Sequence, residues 1–203
     1  MKLVHVVDDE EPIRRATQMM LNVMRYEALT YPSGYSFLDA LMDLSPGCVL
    51  LDLRMPEIDG LEVQRKLQEK GWDLPVVVMS GHGDLTVAVT AMEQGAVAFL
   101  EKPFPRAALE QALEIAFLRH DDSNGYNRYL QSAAAAVGKL EPIDRQVLEL
   151  IARGQDADAI AQRTGLPALS IEMSRSRIFA DLGATSVTEV LRIAFAAARA
   201  PTG

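Results

Sequence analysis

The sequence predicts an α/β domain built on a doubly wound, five-stranded parallel sheet, followed by a small all-α domain of four helices. Three observations carry this. Over residues 1–120, five short apolar runs alternate with stretches of helical periodicity. Strands that read as continuous apolar runs belong to parallel sheets covered on both faces, and right-handed crossovers make such a sheet doubly wound. From Leu140 onward the periodicity is helical alone, and the polar, turn-rich stretch His120-Asp121-Asp122-Ser123-Asn124-Gly125 separates the two regions.

The β-branched run Leu3-Val4-His5-Val6-Val7 forms the first strand and ends at Asp8-Asp9; His5 is read as a structural residue. Pro12 suits the first turn of a helix, which continues through Ile13, Ala16, Met20, Leu21 and Met24. Tyr26 to Tyr31 is the second strand. Ser33 caps a helix carrying Phe37, Leu38, Leu41 and Leu44. Cys48-Val49-Leu50-Leu51 is the third strand and ends at Asp52; a third helix, with Leu61, Val63 and Leu67, stops near Gly71. Pro75 to Met79 is the fourth strand, ending at Ser80. A helix from about Asp84 to Gln94 stops at Gly95. Val97 to Leu100 is the fifth strand, ended by Lys102-Pro103, and residues 105–119 form the last helix of this region. Beyond it, helices are expected near 142–153, 156–163, 169–181 and 186–199, punctuated by Gly154, Gly165 and Gly183. The expected domains are therefore 1–120 and 139–203. The linker, 121–138, is partly helical on its Ala133–Ala136 stretch.

The chain has 203 residues, 49% hydrophobic and 24% charged, which fits a globular protein and excludes a disordered one. No apolar run approaches the ~18–20 residues that span a bilayer, and the acidic start is unlike a signal peptide. Cys48 is the single cysteine, so no disulfide forms within the chain. Together these place the protein in the cytoplasm, away from membranes. The net charge of −8 is uneven: residues 1–120 carry 11 Lys/Arg against 18 Asp/Glu, and residues 139–203 carry 8 of each sign. Neither region has the basic excess that signals nucleic-acid binding by charge alone.

In doubly wound sheets ligands bind at the carboxyl ends of the strands. Asp8, Asp9, Asp52, Ser80 and Lys102 all fall there. Converging carboxylates repel unless a cation compensates them. Magnesium suits, because it takes one or two carboxylates, keeps waters and binds phosphate oxygens. Asp52 is then the carboxylate nucleophile for a phosphoryl group, Lys102 neutralises charge on the phosphoryl oxygens, and the Ser80 hydroxyl bonds one of them.

Five motifs now become recognisable: Val7-Asp8-Asp9-Glu10, Leu51-Asp52-Leu53-Arg54-Met55-Pro56, Asp59-Gly60-Leu61, Met79-Ser80-Gly81-His82-Gly83-Asp84 and Phe99-Leu100-Glu101-Lys102-Pro103-Phe104. In order and spacing they resemble the receiver domains of two-component response regulators, a CheY/flavodoxin-like fold, and specifically the FixJ subfamily. The resemblance implies that Asp52 is the phosphoacceptor. Asp9 ligates magnesium directly and Asp8 through water, with the Arg54 backbone carbonyl as a further ligand. Ser80 and Phe99 are the switch pair, Lys102 pairs with the phosphoryl group, and the Lys102–Pro103 bond is cis. Arg54 and His82 tune phosphoryl lifetime.

Residues 140–199 resemble the four-helix LuxR/NarL-type output domain, which contains a helix-turn-helix. Ile143 to Gly154, Ala159 to Leu166 and Ile171 to Ala184 carry the match. The third of these helices enters a major groove, where Ser170, Ser174, Arg175 and Arg177 donate to phosphates or bases. The sequence departs from the family where the cap, proline and basic residue that open this helix are replaced by Pro167, Ala168 and Leu169, and where Asp181 replaces a basic residue.

The expected function is thus a phosphoprotein that takes its phosphoryl group on Asp52 from a sensor histidine kinase and regulates transcription by binding double-stranded DNA. It homodimerises on phosphorylation, through the fourth and fifth receiver helices with the fifth strand, or through the last helix. It is not an enzyme in the usual sense: it catalyses its own phosphoryl transfer and dephosphorylates slowly. The alternative is a protein-interaction regulator, or a phosphate sink, whose helix-turn-helix has lost its affinity for DNA.

Overall fold

The structure, a computed structural model, describes residues 1–81 and 85–201. Five parallel strands, β1 (Leu3–Val7), β2 (Glu27–Tyr31), β3 (Cys48–Asp52), β4 (Val76–Ser80) and β5 (Ala98–Glu101), form one sheet in the order β2-β1-β3-β4-β5. Its helices include α1 (Glu11–Val23), α2 (Gly34–Asp39), α3 (Gly60–Glu69), α4 (Leu85–Glu93) and α5 (Arg106–Asp121). β1, β3 and β4 are buried at every position, as strands covered on both faces must be. β1 and β3 are parallel, but the sheet grows to one side of β1 with β2 and to the other with β3, β4 and β5, and this switch in winding leaves a crevice at the carboxyl ends of β1 and β3. The edge strand β2 alternates less cleanly and exposes Leu29.

Local chemistry fixes these elements. Pro12 opens α1, and Ser33 and Ser36 form a reciprocal capping box on α2. α2 is shorter than its apolar spacing predicts. It ends at Asp39, and Leu41–Asp43 form a 3₁₀ turn. The chain must turn here to enter β3, and Gly47 passes so close to the Leu3 carbonyl that a Cβ would lie 2.5 Å from it. His5 is wholly buried in β1, with Nε2 3.0 Å from the Ser45 carbonyl and Nδ1 3.1 Å from the Tyr31 hydroxyl.

A second set of helices follows: α6 (Ser123–Gly138), α7 (Pro142–Ile151), α8 (Ala157–Thr164), α9 (Ala168–Leu182) and α10 (Val187–Ala198). The segment expected to be a partly helical linker is helical throughout except at Asp122. The reason lies in α6, where Leu130 and Ala133 bury against Ala196, with Tyr126, Tyr129, Ile193, Ala197 and Ala200 packed around them. The last helix therefore packs within its own unit. Val147, Leu148, Ile151, Ile160, Ile171, Ile178, Val190 and Leu191 form the core of α7–α10. The chain divides into two compact units, one of the sheet with α1–α3 and α5, the other of α6–α10 together with α4. That grouping of α4 differs from the boundary at 120. The helix has a single charged residue, Glu93, and buries Ala88, Val89, Ala91 and Met92. A helix apolar on nearly every side needs cover all round. Among the described residues, no helix is long and apolar enough to cross a membrane.

Candidate functional site

The strand ends bring three carboxylates together. Asp8 and Asp9 follow β1, and Asp52 closes β3; one ligand oxygen from each lies within 4.8 Å of the others. Backbone bonds hold this rim. The Asp8 amide donates to the Tyr31 carbonyl, Leu53 to Met79, and Lys102 to Ser80, at 3.2, 3.0 and 2.8 Å. Arg14 donates to the Asp8 carbonyl at 2.7 Å. At the far side Asp59 caps α3, and Gly60 sits against the end of β3: a Cβ there would lie 2.3 Å from the Asp52 carbonyl oxygen. No side chain other than hydrogen fits so close an approach.

Lys102 reaches into this cluster from the end of β5. Its Nζ donates to Asp8 Oδ2 at 2.6 Å and to Asp52 Oδ1 at 2.8 Å. Asp8 and Asp52 are buried, and Lys102 is nearly so. Burial pushes the Asp52 carboxyl above its ordinary range; Lys102 opposes that shift, and Asp8 and Asp9 add to it. Burial pulls the Lys102 ammonium down, but its bonds to Asp52 and Asp8 outweigh that and leave it raised. One ammonium thus serves two buried carboxylates, and the cluster keeps excess negative charge.

The donor set fits a hard divalent cation. Asp8 is already committed, since Oδ1 accepts from the Glu10 amide at 2.9 Å and Oδ2 from Lys102. Asp9 Oδ1, by contrast, is buried and has no hydrogen-bond partner. A buried carboxylate oxygen left without a donor is costly. A hard divalent cation, which takes carboxylate oxygens, would give that oxygen the partner it lacks.

Ser80, at the end of β4, and Phe99, in β5, are both buried. Arg54 lies two residues beyond Asp52 and is exposed. The Lys102–Pro103 bond is cis. His82 lies outside the described residues.

The four residues singled out on the output helix fare unequally. Ser170 is half-buried in the first turn of α9, and Arg175 is half-buried, its guanidinium 3.7 Å from Glu172. Ser174 and Arg177 are not free donors. Arg177 closes a two-pronged hydrogen bond on Asp144 of α7, at 2.8 and 2.6 Å, and also donates to the buried Ser174 hydroxyl at 3.0 Å. Asp144 is wholly buried, so the pair clamps α7 to α9. The Arg177 guanidinium draws the Asp144 carboxyl below its usual range. Asp144 escaped the sequence reading because it lies 33 residues from its partner and no local spacing marks it. The frame around α9 is intact, with Asp156 capping α8 and Gly165, at φ +72°, turning the chain between them.

Residues 4–114 match the family described as response regulator receiver domain. The transcriptional regulatory protein FixJ of Bradyrhizobium diazoefficiens is 34% identical over 96% of this chain and 95% of that protein. FixJ of Rhizobium meliloti is 33% identical over 98% of each. Among solved structures, full-length FixJ from B. japonicum has a TM-score of 0.59 at 33% identity and covers 98% of both chains. The match runs through the strand-end carboxylates and on across the helical second half, and the chain therefore belongs to the response regulator receiver family.

Proposed function

We propose that Asp52 accepts a phosphoryl group from a histidine kinase, and that this gates a transcriptional output through DNA binding by residues 139–203. The observation that carries the reading is the pairing of Asp52 Oδ1 with Lys102 Nζ beside the orphaned oxygen of Asp9. A carboxylate oxygen of Asp52 forms a bond to phosphorus as the phosphorus–nitrogen bond of the donor's phosphohistidine breaks. Lys102 moves its ammonium toward the phosphoryl oxygens. The Ser80 hydroxyl donates to one of them, and Phe99 follows Ser80 inward. Asp9 and Asp52, with the Arg54 backbone carbonyl and Asp8 through water, would hold magnesium. That ion supplies positive charge to the phosphoryl oxygens when bound. Autodephosphorylation is slow, and the protein acts as a switch in the cytoplasm. Arg54 and His82 tune its lifetime.

The phosphoryl group shifts a population only through contacts that differ between the two states. Ser80 and Phe99 carry that difference to the face beyond β5, where a second copy docks. Dimerisation adds two weak half-sites on duplex DNA, each contacted through α9 by Ser170 and Arg175. The alternative, an output that contacts a protein, is favoured by one observation: Asp144 holds Arg177 away from a ligand. Asp52→Asn tests the central claim. With acetyl phosphate and magnesium the natural protein gains acid-labile phosphate and the variant gains none. Equal labelling of the variant moves the acceptor elsewhere.

A further inference from the structure

We propose that α9 reads the thymine methyl groups of a thymine-containing major groove through Leu169 and Met173. The inference rests on the DNA-binding reading above and names the base chemistry of that surface. α9 buries Ile171, Ser174 and Ile178 on one side. Its opposite side is a stripe of exposed residues at helical spacing: Leu169, Glu172, Met173, Ser176 and Ala180. Leu169 is 73% exposed and Met173 54%, one turn apart on the same face. A single exposed apolar side chain is ordinary, but two side by side on one helix face form a small apolar patch, and contiguous patches mark interaction sites. Both belong to the first two turns of α9, the end of a recognition helix that meets base edges.

The remaining chemistry of the helix narrows what they meet. α9 contains no Lys, Asn or Gln. Of its two arginines, Arg177 is closed on Asp144 and Arg175 is half-buried beside Glu172. The two-pronged donors that read guanine and adenine are therefore missing from the stripe. The Ser176 hydroxyl is turned back onto the Glu172 carbonyl at 2.9 Å. What the stripe offers is apolar contact, whose partner in the major groove is the thymine C5 methyl, and the Glu172 carboxylate, which accepts from the cytosine amino group. The unbranched thioether of Met173 adapts to a methyl without a fixed rotamer. A protein partner fits less well. Stable protein interfaces bury ~800 Å² per side around an apolar centre, and two side chains flanked by Glu172 and Ser176 do not make such a centre.

The test uses the full chain activated with magnesium and beryllofluoride, and a random duplex pool from which bound sequences are enriched. The enriched duplex is then remade with deoxyuridine replacing thymidine at single positions, which removes the C5 methyl and keeps base pairing. We expect about fourfold weaker binding for each contacted methyl, the effect of ~0.8 kcal/mol per buried methyl-sized group. Met173→Ala and Leu169→Ala, both at exposed positions that leave the core untouched, should each cancel the penalty at one position and keep the others. Sequence-specific binding indifferent to deoxyuridine at every position overturns the methyl reading and leaves DNA binding standing. Failure to enrich any duplex, by a protein that still dimerises on activation, overturns both and turns the stripe toward a protein.

Discussion

Replacing Lys102 by Met removes the one ammonium from the strand-end cluster and keeps most of the stem's packing. Two buried carboxylates, Asp8 and Asp52, then lose the donor 2.6 and 2.8 Å away, with Asp9 beside them. Removing one partner of a buried ion pair costs ~3–5 kcal/mol, because the charge left behind has no compensation. Proton uptake by one carboxylate caps that penalty. An unfolded Asp titrates near ~3.9, so protonating it in the folded state costs ~4 kcal/mol at pH 7 but only ~1.5 kcal/mol at pH 5. The sign follows from the raised Asp52 carboxyl: the folded state binds the proton more readily than the unfolded chain, so stability falls as pH rises. In chelator, Lys102→Met should lose ~3–4 kcal/mol at pH 7 and roughly 1–2 kcal/mol at pH 5. Trp72, the single tryptophan, follows α3 in the sheet unit and reports its unfolding in urea by fluorescence. Millimolar magnesium should recover part of the loss, since a cation bound only by the folded state stabilises it. A loss that is the same at both pH values, or below ~1 kcal/mol at pH 7, refutes the picture of one ammonium balancing two buried carboxylates.

Three further outcomes follow from other contacts. Burial holds His5 below its usual pKa, against the Ser45 carbonyl, which raises it. The folded state needs the neutral ring, so its contribution is complete above about pH 6.5 and is lost as pH drops below that value. His5→Gln, which does not titrate, should show a shallower fall in urea midpoint between pH 7 and 5.5, and parallel curves would dismiss His5 as the source. Gly60→Ala forces a Cβ onto the Asp52 carbonyl and should cost about 1–3 kcal/mol by the same fluorescence assay while slowing labelling by acetyl phosphate; wild-type values for both would mean the loop yields freely. Arg177→Ala should lower the midpoint of the helical melt by ~5 °C or more, because it leaves Asp144 buried without its partner, and an unchanged melt would return Arg177 to the list of free cations.

The sheet was legible because β1, β3 and β4 are continuous apolar runs, and parallel topology then forces their carboxyl ends together. Asp8, Asp9, Asp52 and Lys102 could be grouped from sequence for that reason, although Asp8 and Lys102 are 94 residues apart. α6 was not legible in full. The polar run 120–125 reads as a break, yet Tyr126, Tyr129, Leu130 and Ala133 lie at helical spacing and find a surface on α10 that only the tertiary structure supplies. Nor was the fate of Arg177 legible. A basic residue on a recognition helix has the same sequence whether it faces solvent or a buried carboxylate, and Asp144 is an unremarked polar position in an amphipathic helix until α7 and α9 are packed together.

The two ion-pair systems explain why one cation is available for chemistry and the other is not. Lys102 carries a compact charge on a flexible stem and divides it between Asp8 and Asp52, so neither carboxylate saturates it. In the proposed mechanism a doubly charged phosphoryl group on Asp52 draws the ammonium after it, while Asp8 keeps the Glu10 amide as a donor. Arg177 presents a planar fork to a single carboxylate, with both prongs matched and a third bond to Ser174. Pulling it toward a phosphate would strip a wholly buried Asp144 of its guanidinium partner. A phosphate contact at the protein surface returns far less than that cost, so Arg177 stays with Asp144. On the proposed DNA-binding reading α9 then works with apolar contacts, Ser170, Glu172 and one cation outside the Asp144 pair, Arg175, which makes each half-site weak and makes pairing of two copies the step that decides whether DNA is held.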